Sequence, residues 1–236
     1  MRYYISDLHF YHRGIKEMDA RDFATVFEMH EYMIEKWNAK VRKNDEVFIL
    51  GDLSFGNGVE TWEIMTKLNG KLTLIEGNHD GRFLDDKEFV DNFENVLSYD
   101  EKKDDGRRVI LSHYPMPFYN HQFKRNNEDE LKTYMLYGHV HNTFDEYLLN
   151  RMINEMKKLE RESVGGGAET TPAQLINVFC VYSDYTPLTL DEWIELDKKR
   201  RAWINEEEAK KGGLLNYEDW KRMNAEMLIK AKEGWK

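Results

Sequence analysis

Seven side chains able to bind hard or borderline metal ions, and one further histidine, occupy five short stretches of this chain. They are Asp7-Leu8-His9, Gly51-Asp52, Gly77-Asn78-His79-Asp80, Ser112-His113 and Gly138-His139-Val140-His141. Every donor is oxygen or nitrogen. The single cysteine, Cys180, lies in the apolar run Val178-Phe179-Cys180-Val181 and reads as a buried small hydrophobe, so a disulfide frame and a thiolate site are both closed to the chain. Such a donor set suits two divalent ions sharing one carboxylate, and manganese, iron or zinc rather than a soft metal. Two such ions with Asp7 and Asp52 leave a site of about +2, suited to an anionic phosphate ester and poor for a neutral substrate.

Each stretch follows a short apolar run with strand character: Arg2-Tyr3-Tyr4-Ile5, then residues 46–50, 72–75, 108–111 and 134–137. In an open α/β sheet the crevice lies outside the carboxyl ends of the strands, so five such endings deliver their ligands to one edge. A single ending has a plain structural explanation, since Gly-Asn and a turn aspartate are ordinary turn chemistry. Five of five do not. In Asp7-x-His9 and His139-x-His141, residues two apart in extended chain project to the same face. His12 either joins this site or lies on the surface. His30 falls within the helical pattern Val26, Met29, Met33, Ile34, Trp37, Val41 and is expected to be structural, while His121, in a polar loop, is expected to face solvent.

The remaining elements frame these stretches. A helix is expected at 60–68, then an acidic, weakly patterned stretch at 81–106 with a turn at Asp104-Asp105-Gly106. A charged helix is expected at 144–163, closed by Gly165-Gly166-Gly167, followed by a strand from Asn177 to Tyr182. Thr189-x-x-Glu192 has the form of a capping box for a helix reaching Gly212-Gly213, and Asn216 caps a last helix. These two helices carry Trp193, Trp203, Trp220, Met223, Met227 and Ile229, expected to pack on the parent domain rather than on a second copy, with monomer and homodimer both open. No candidate ligand lies beyond His141, so cutting the chain after Lys211 is expected to spare the ions.

A chain of 236 residues supports one good core. Hydrophobic residues at 41% and charged residues at 33% fit a soluble protein, and no run approaches the roughly 18 apolar residues of a membrane span. Met1 to Ile5 enters a strand directly instead of a signal peptide, so a cytoplasmic location and no membrane partner are expected. A net charge of −10 argues against general polyanion binding but leaves room for a local cationic site.

In these five stretches and their order the chain resembles the calcineurin-like metallophosphoesterases. Residues Ser6 to His12, Leu68-Asn69-Gly70-Lys71, Ser112-His113-Tyr114-Pro115 and Asp184-Tyr185-Thr186-Pro187-Leu188 are similar to a small bacterial and phage branch of that family. The resemblance implies an α/β fold (α+β by some schemes) of two packed mixed β-sheets flanked by helices. A phosphoesterase domain would span 1–195, with 144–175 a helical insertion and 196–236 a helical C-terminal extension packed on the same domain. It further implies that Asp7, His9 and His141 hold one ion, that Asn78, His113 and His139 hold the other, and that Asp52 bridges them. Asn78 and His79 would contact the phosphate, with His12 as a further substrate contact. His79 would protonate the leaving oxygen and Asp80 would orient it. The implied activity is hydrolysis of phosphate mono- or diesters by a metal-bound hydroxide, with Mn²⁺ first and Fe, Zn²⁺ or Ni²⁺ as alternatives. Small-molecule, nucleotide and nucleic-acid substrates all use such a core. The rival reading is a metal-binding interaction scaffold of the same fold without turnover; the complete ligand set with His79 favours the enzyme.

Overall fold

The computed structural model describes residues 1–235. In chain order, β1 (Arg2–Ile5) leads through α1 (Ile15–Met18) and α2 (Val26–Lys40) to β2 (Glu46–Leu50), α3 (Gly58–Met65) and β3 (Lys71–Ile75). Two short helices, α4 (Gly81–Leu84) and α5 (Lys87–Val90), precede β4 (Asn95–Leu97). Then come β5 (Asp100–Asp104), β6 (Arg107–Leu111), β7 (Thr133–Tyr137), α6 (Phe144–Met156), β8 (Glu160–Glu162), β9 (Ala168–Thr170) and β10 (Leu175–Asn177). Helices α7 (Leu190–Lys211) and α8 (Tyr217–Lys232) close the chain.

Strands β1-β2-β3-β4 form one parallel sheet, and β10-β7-β6-β5 form a mixed one in which only the β5–β6 hairpin is antiparallel. This is the expected α/β architecture. Parallel pairing matters here because it sends the carboxyl ends of β1, β2 and β3, and of β6 and β7, each to one edge. The sheets are joined where Ser6 N–H donates to the Val178 carbonyl (2.9 Å) and Cys180 N–H donates to the Ser6 carbonyl (3.1 Å). Cys180 is fully buried there.

Helix α2 starts where Thr25 accepts from Glu28 N–H (3.0 Å), and it buries Met29, His30, Met33 and Trp37 against the parallel sheet. His30 is structural: its Nε2 accepts the Tyr11 N–H at 2.8 Å, and burial, with Lys67 adding, pushes it down to about 4, so it stays a neutral acceptor. The Asp104-Asp105-Gly106 turn closes the β5–β6 hairpin as expected. Its β5 partner, Asp-Glu-Lys-Lys-Asp, has no apolar pattern because it is an edge strand kept charged.

Three expectations need correction. The charged helix stops at Met156, and residues 160–170 form the β8–β9 hairpin around Gly165 to Gly167, with Gly166 and Gly167 at positive φ and Arg161 paired across to Glu169 at 3.0 Å. Turn glycines and a cross-strand ion pair outweigh the helix propensity of Lys, Leu, Glu and Arg there. The last strand is β10, and Cys180–Ser183 is a 3-10 turn, because the Asn177 side chain takes the Phe179 N–H (3.1 Å) that a continuing strand would use. Helix α3 begins at Gly58, two residues earlier than expected, under an Asn57–Glu60 capping box.

Helix α7 runs unbroken through residue 195 from its Thr189–Glu192 capping box. Trp193, Trp203, Trp220, Met223, Met227 and Trp235 all belong to the core shared with the two sheets, as does Tyr147 of α6, whereas Ile229 is exposed. The indoles also find partners: Trp193 Nε1 donates to the Tyr4 carbonyl (2.8 Å) and Trp220 Nε1 to the Asn142 carbonyl (3.0 Å). Asn142 follows His141, so the final helix braces the loop that carries two candidate ligands. Trp220→Ala is therefore expected to lower unfolding free energy by about 3–5 kcal/mol, measured by urea denaturation of the metal-free protein. A loss below about 1 kcal/mol would show that the α8 contact is dispensable.

Candidate metal centre

The loops after β1, β2, β3, β6 and β7 bring all seven candidate ligands into one cluster. Adjacent loops continue the sheet pairing beyond the strands: Asp7 N–H donates to the Gly51 carbonyl (3.0 Å), His9 N–H to the Asp52 carbonyl (2.9 Å), and Gly138 N–H to the His113 carbonyl (2.9 Å). Gly51 has φ +81°, and a Cβ there would lie 2.7 Å from the Gly77 Cα. The ends of β2 and β3 approach this closely because both positions are glycine. The extended geometry expected for the two x-spaced pairs is not found. Asp7, His9, Asp52, His139 and His141 all have left-handed backbones, with φ between 48° and 69°. Five non-glycine residues in that region cost free energy that the surrounding structure must hold in place.

The side chains fall into two groups on either side of Asp52. In the first, ligand atoms of Asp7, His9, Asp52 and His141 all lie within 4.8 Å of one another and all four residues are buried. His9 Nε2 is 3.0 Å from His141 Nε2 and 3.6 Å from Asp52 Oδ2, and Asp7 Oδ1 is 3.5 Å from His141 Nε2. In the second, Asn78 Oδ1 is 3.0 Å from His113 Nε2 and 2.9 Å from His139 Nδ1, and His113 Nε2 is 3.6 Å from Asp52 Oδ1. Atoms bound to one ion at about 2.1 Å lie about 3.0 Å apart in octahedral geometry and about 3.4 Å apart in tetrahedral geometry. The observed separations match that range, so the residues fit divalent ions in both groups.

Hydrogen bonds on the far side of these ligands turn their lone pairs inward. His113 Nδ1 donates to the Leu50 carbonyl (2.8 Å), leaving Nε2 as the free lone pair. Asp7 accepts from Ser6 Oγ (2.5 Å) and from His139 N–H (3.0 Å). The charges also call for a cation. Burial alone would raise the Asp7 carboxyl, but the imidazoles around it, His141 foremost, hold it well below the ordinary carboxylate range. Burial lowers His141, but Asp7 and then Asp19 outweigh it and lift it to about 10. The ring lies between two carboxylates, with Asp7 Oδ1 3.5 Å from Nε2 and Asp19 Oδ1 2.8 Å from Nδ1, and a cation held at Nε2 would take the place of a proton there. His9 and His139 are pushed down by burial and then by neighbouring imidazoles, which keeps their lone pairs available. Asp52 is pushed up by burial, and Asp7 adds to that rise.

The other expected residues are placed as follows. His79 stands beside Asp52, its Nε2 4.0 Å from Oδ2, with its ring 44% exposed. Among the described residues, the Asp80 carboxylate makes no hydrogen bond to the His79 ring. Its buried carboxylate accepts from Gly77 N–H (2.8 Å), Asp52 N–H (3.0 Å) and Leu53 N–H (2.9 Å). What it orients is the pair of loops after β2 and β3, and burial, with the Asp52 charge adding, pushes it up to about 7 despite those donors. His12 is outside the ligand set: its ring stacks on Phe55 at 3.9 Å and lies 5.3 Å from the His9 ring. His121 is exposed, as expected. Sequence reasoning missed Asp19 and Arg21. Asp19 Oδ1 accepts from His141 Nδ1 (2.8 Å), and Arg21 pairs with Asp19; no periodicity or motif marks that loop.

A family model described as the calcineurin-like phosphoesterase superfamily domain matches residues 3–155. The chain belongs to this superfamily. An uncharacterized protein of Methanocaldococcus jannaschii is 32% identical over 203 residues, covering 85% of this chain and 93% of that one. The gene 66 protein of Mycobacterium phage L5 is 36% identical over 83 residues, 34% of this chain and 39% of the phage protein. Among solved structures, a protein of unknown function from Aquifex aeolicus shares the fold, with 24% identity, coverage of 83% of this chain and 98% of that one, and a TM-score of 0.50. As a calcineurin-like phosphoesterase the protein is a metal-dependent hydrolase of phosphate esters, and the family implies divalent ions. Among the described residues, no helix is long and apolar enough to cross a membrane.

Since Asp52 faces both groups, Asp52→Ala is expected to abolish the binding of two ions at once, by metal analysis after gel filtration of the loaded protein. A full two-ion content in that variant would remove Asp52 from its shared role.

Proposed function

We propose that this phosphoesterase hydrolyses phosphate mono- or diesters, with Asp7, His9 and His141 holding one ion and Asn78, His113 and His139 the other. Asp52 lies between them, and His79 is phosphate ligand and general acid. The observation that carries this reading is the division of Asp52: Oδ2 faces His9 Nε2 and Oδ1 faces His113 Nε2, each at 3.6 Å. A carboxylate that presents an oxygen to each group could serve an ion on either side. When bound, the ions supply positive charge for the phosphoryl oxygens and activate water. The all-oxygen and nitrogen donor set suits manganese, iron, zinc or nickel rather than a soft metal, and the family resemblance puts manganese first.

The chain's own residues bind, orient and deliver a proton. His79 donates its backbone N–H to Asp52 Oδ1 (3.0 Å), so its position is tied to the central carboxylate while its ring is left at the solvent side. A half-exposed imidazole beside a phosphate site can give a hydrogen bond to a phosphoryl oxygen and a proton to the departing oxygen. Asn78, also exposed, lies next to it. Phe55 packs against both His79 (4.6 Å) and His12 (3.9 Å), which supports His12 as part of the wall that a substrate meets. The substrate is a phosphate ester of a small molecule, a nucleotide or a nucleic acid.

The test is a Mn²⁺ assay on p-nitrophenyl phosphate, bis-p-nitrophenyl phosphate, cyclic nucleotides and short oligonucleotides. Turnover of at least one class is expected, and none from a protein carrying two ions would favour a scaffold. His79→Ala should keep both ions and lower kcat by about 10²–10⁴-fold for esters with poor leaving groups, and by less for p-nitrophenyl esters. Loss of metal in that variant would contradict the role.

A further inference from the structure

Asp19 and Arg21 lie in the irregular loop between α1 and α2, yet their side chains are only 4% and 0% exposed. An acid and a base two residues apart would ordinarily pair at the surface with little consequence. Here the pair faces inward. Arg21 donates through Nε (3.0 Å) and Nη2 (2.8 Å) to Asp19 Oδ2, through Nη1 to the Leu8 carbonyl (2.8 Å) and through Nη2 to the Asp7 carbonyl (2.9 Å). Those two carbonyls belong to the turn in which Asp7 and His9 are left-handed. The other Asp19 oxygen, Oδ1, accepts from His141 Nδ1 at 2.8 Å. One ion pair therefore touches the two segments that supply Asp7, His9 and His141, three of the four residues of the first group.

We infer, on the reading that Asp7, His9 and His141 hold one ion, that Asp19 and Arg21 are positioning residues for that ion alone. Asp19 sets the His141 ring, and Arg21 holds the turn that presents Asp7 and His9. An imidazole offers the Nε2 lone pair only while its proton is on Nδ1, and a carboxylate at Nδ1 favours that tautomer and makes Nε2 a better donor. A strained turn persists only where its surroundings over-determine it, and the rigid planar fork of arginine can grip two carbonyls and a carboxylate together, which lysine cannot. The Arg21 guanidinium is also held against the Phe179 ring (5.7 Å), which in turn stacks on His141 (4.8 Å). Among the described residues, no side-chain ion pair of this kind holds the second group, whose His139 donates its backbone N–H to Asp7. Its His113 is set by the Leu50 carbonyl, a backbone group that no side-chain change removes. A pair that served folding alone would not distinguish the two ions.

The experiment titrates the metal-free full chain with Mn²⁺ and follows free ion by electron paramagnetic resonance. Wild type, Asp19→Asn, Asp19→Glu, Arg21→Lys and His141→Ala are compared, and near-ultraviolet circular dichroism of each metal-free protein checks the fold. Wild type should bind two ions. Asp19→Asn and Arg21→Lys should keep the wild-type spectrum and weaken one ion by about 10–100-fold, the same ion that His141→Ala loses, with the other close to wild type. Asp19→Glu, which keeps the charge but lengthens the arm, stands in for Asp19→Asn should that variant not fold, with the same expected loss. Wild-type affinity for both ions in the folded variants would overturn the inference, and so would equal weakening of both ions. Wild type binding fewer than two ions would count instead against the metal assignment on which the inference rests.

Discussion

The structure is built around a buried space in which electron pairs converge. Four buried side chains place their donor atoms within 4.8 Å of one another, and Asp52 turns its second oxygen to a further imidazole. Without positive charge such a cluster repels itself and loses the hydration of its carboxylates. Its persistence depends on what surrounds it: backbone amides on Asp80 and Asp7, two glycines that let strand ends touch, and five left-handed residues held by neighbouring loops. Two carboxylates flank the His141 ring, and the charges that lift it to about 10 are those that would favour a cation there.

The outline of this centre was legible in the sequence because parallel strands make it so. An apolar run followed within a few residues by a candidate ligand, with glycine before it in three of the five cases, places its endings at the carboxyl ends of parallel strands, and the two sheets bring all seven candidates together there. The local geometry was not legible. Asp7-x-His9 looks the same written as extended chain or as a left-handed turn, and only the pairing of its loop with Gly51 and Asp52 decides. Asp80 was readable as a polar neighbour of His79, but its three amide donors come from two loops that sequence alone does not bring together. Asp19 and Arg21 were hidden for the same reason, since their partners are carbonyls and a ring distant along the chain.

The elements misread are those in which local and tertiary signals conflict. Residues 157–162 are good helix formers, yet the glycine turn after them and the Arg161–Glu169 pair draw them into a hairpin. The two C-terminal helices were read well because a capping box is a local device, present at Thr189 and Asn216, whereas the box at Asn57 was passed over and the start of α3 was placed two residues late. The final helix is tied to the centre by the Trp220 indole on the Asn142 carbonyl, next to His141. Core packing and ligand placement are thus coupled at one peptide group, although no candidate ligand lies in that helix.

The central claim is that one buried carboxylate serves two ions. Anomalous diffraction from Mn²⁺-loaded crystals, collected on either side of the manganese edge, tests it directly. Two peaks are predicted, one on the Oδ2 side of Asp52 among Asp7, His9 and His141, the other on the Oδ1 side among Asn78, His113 and His139. A single peak at full loading, or a second peak away from Asp52, would contradict the account.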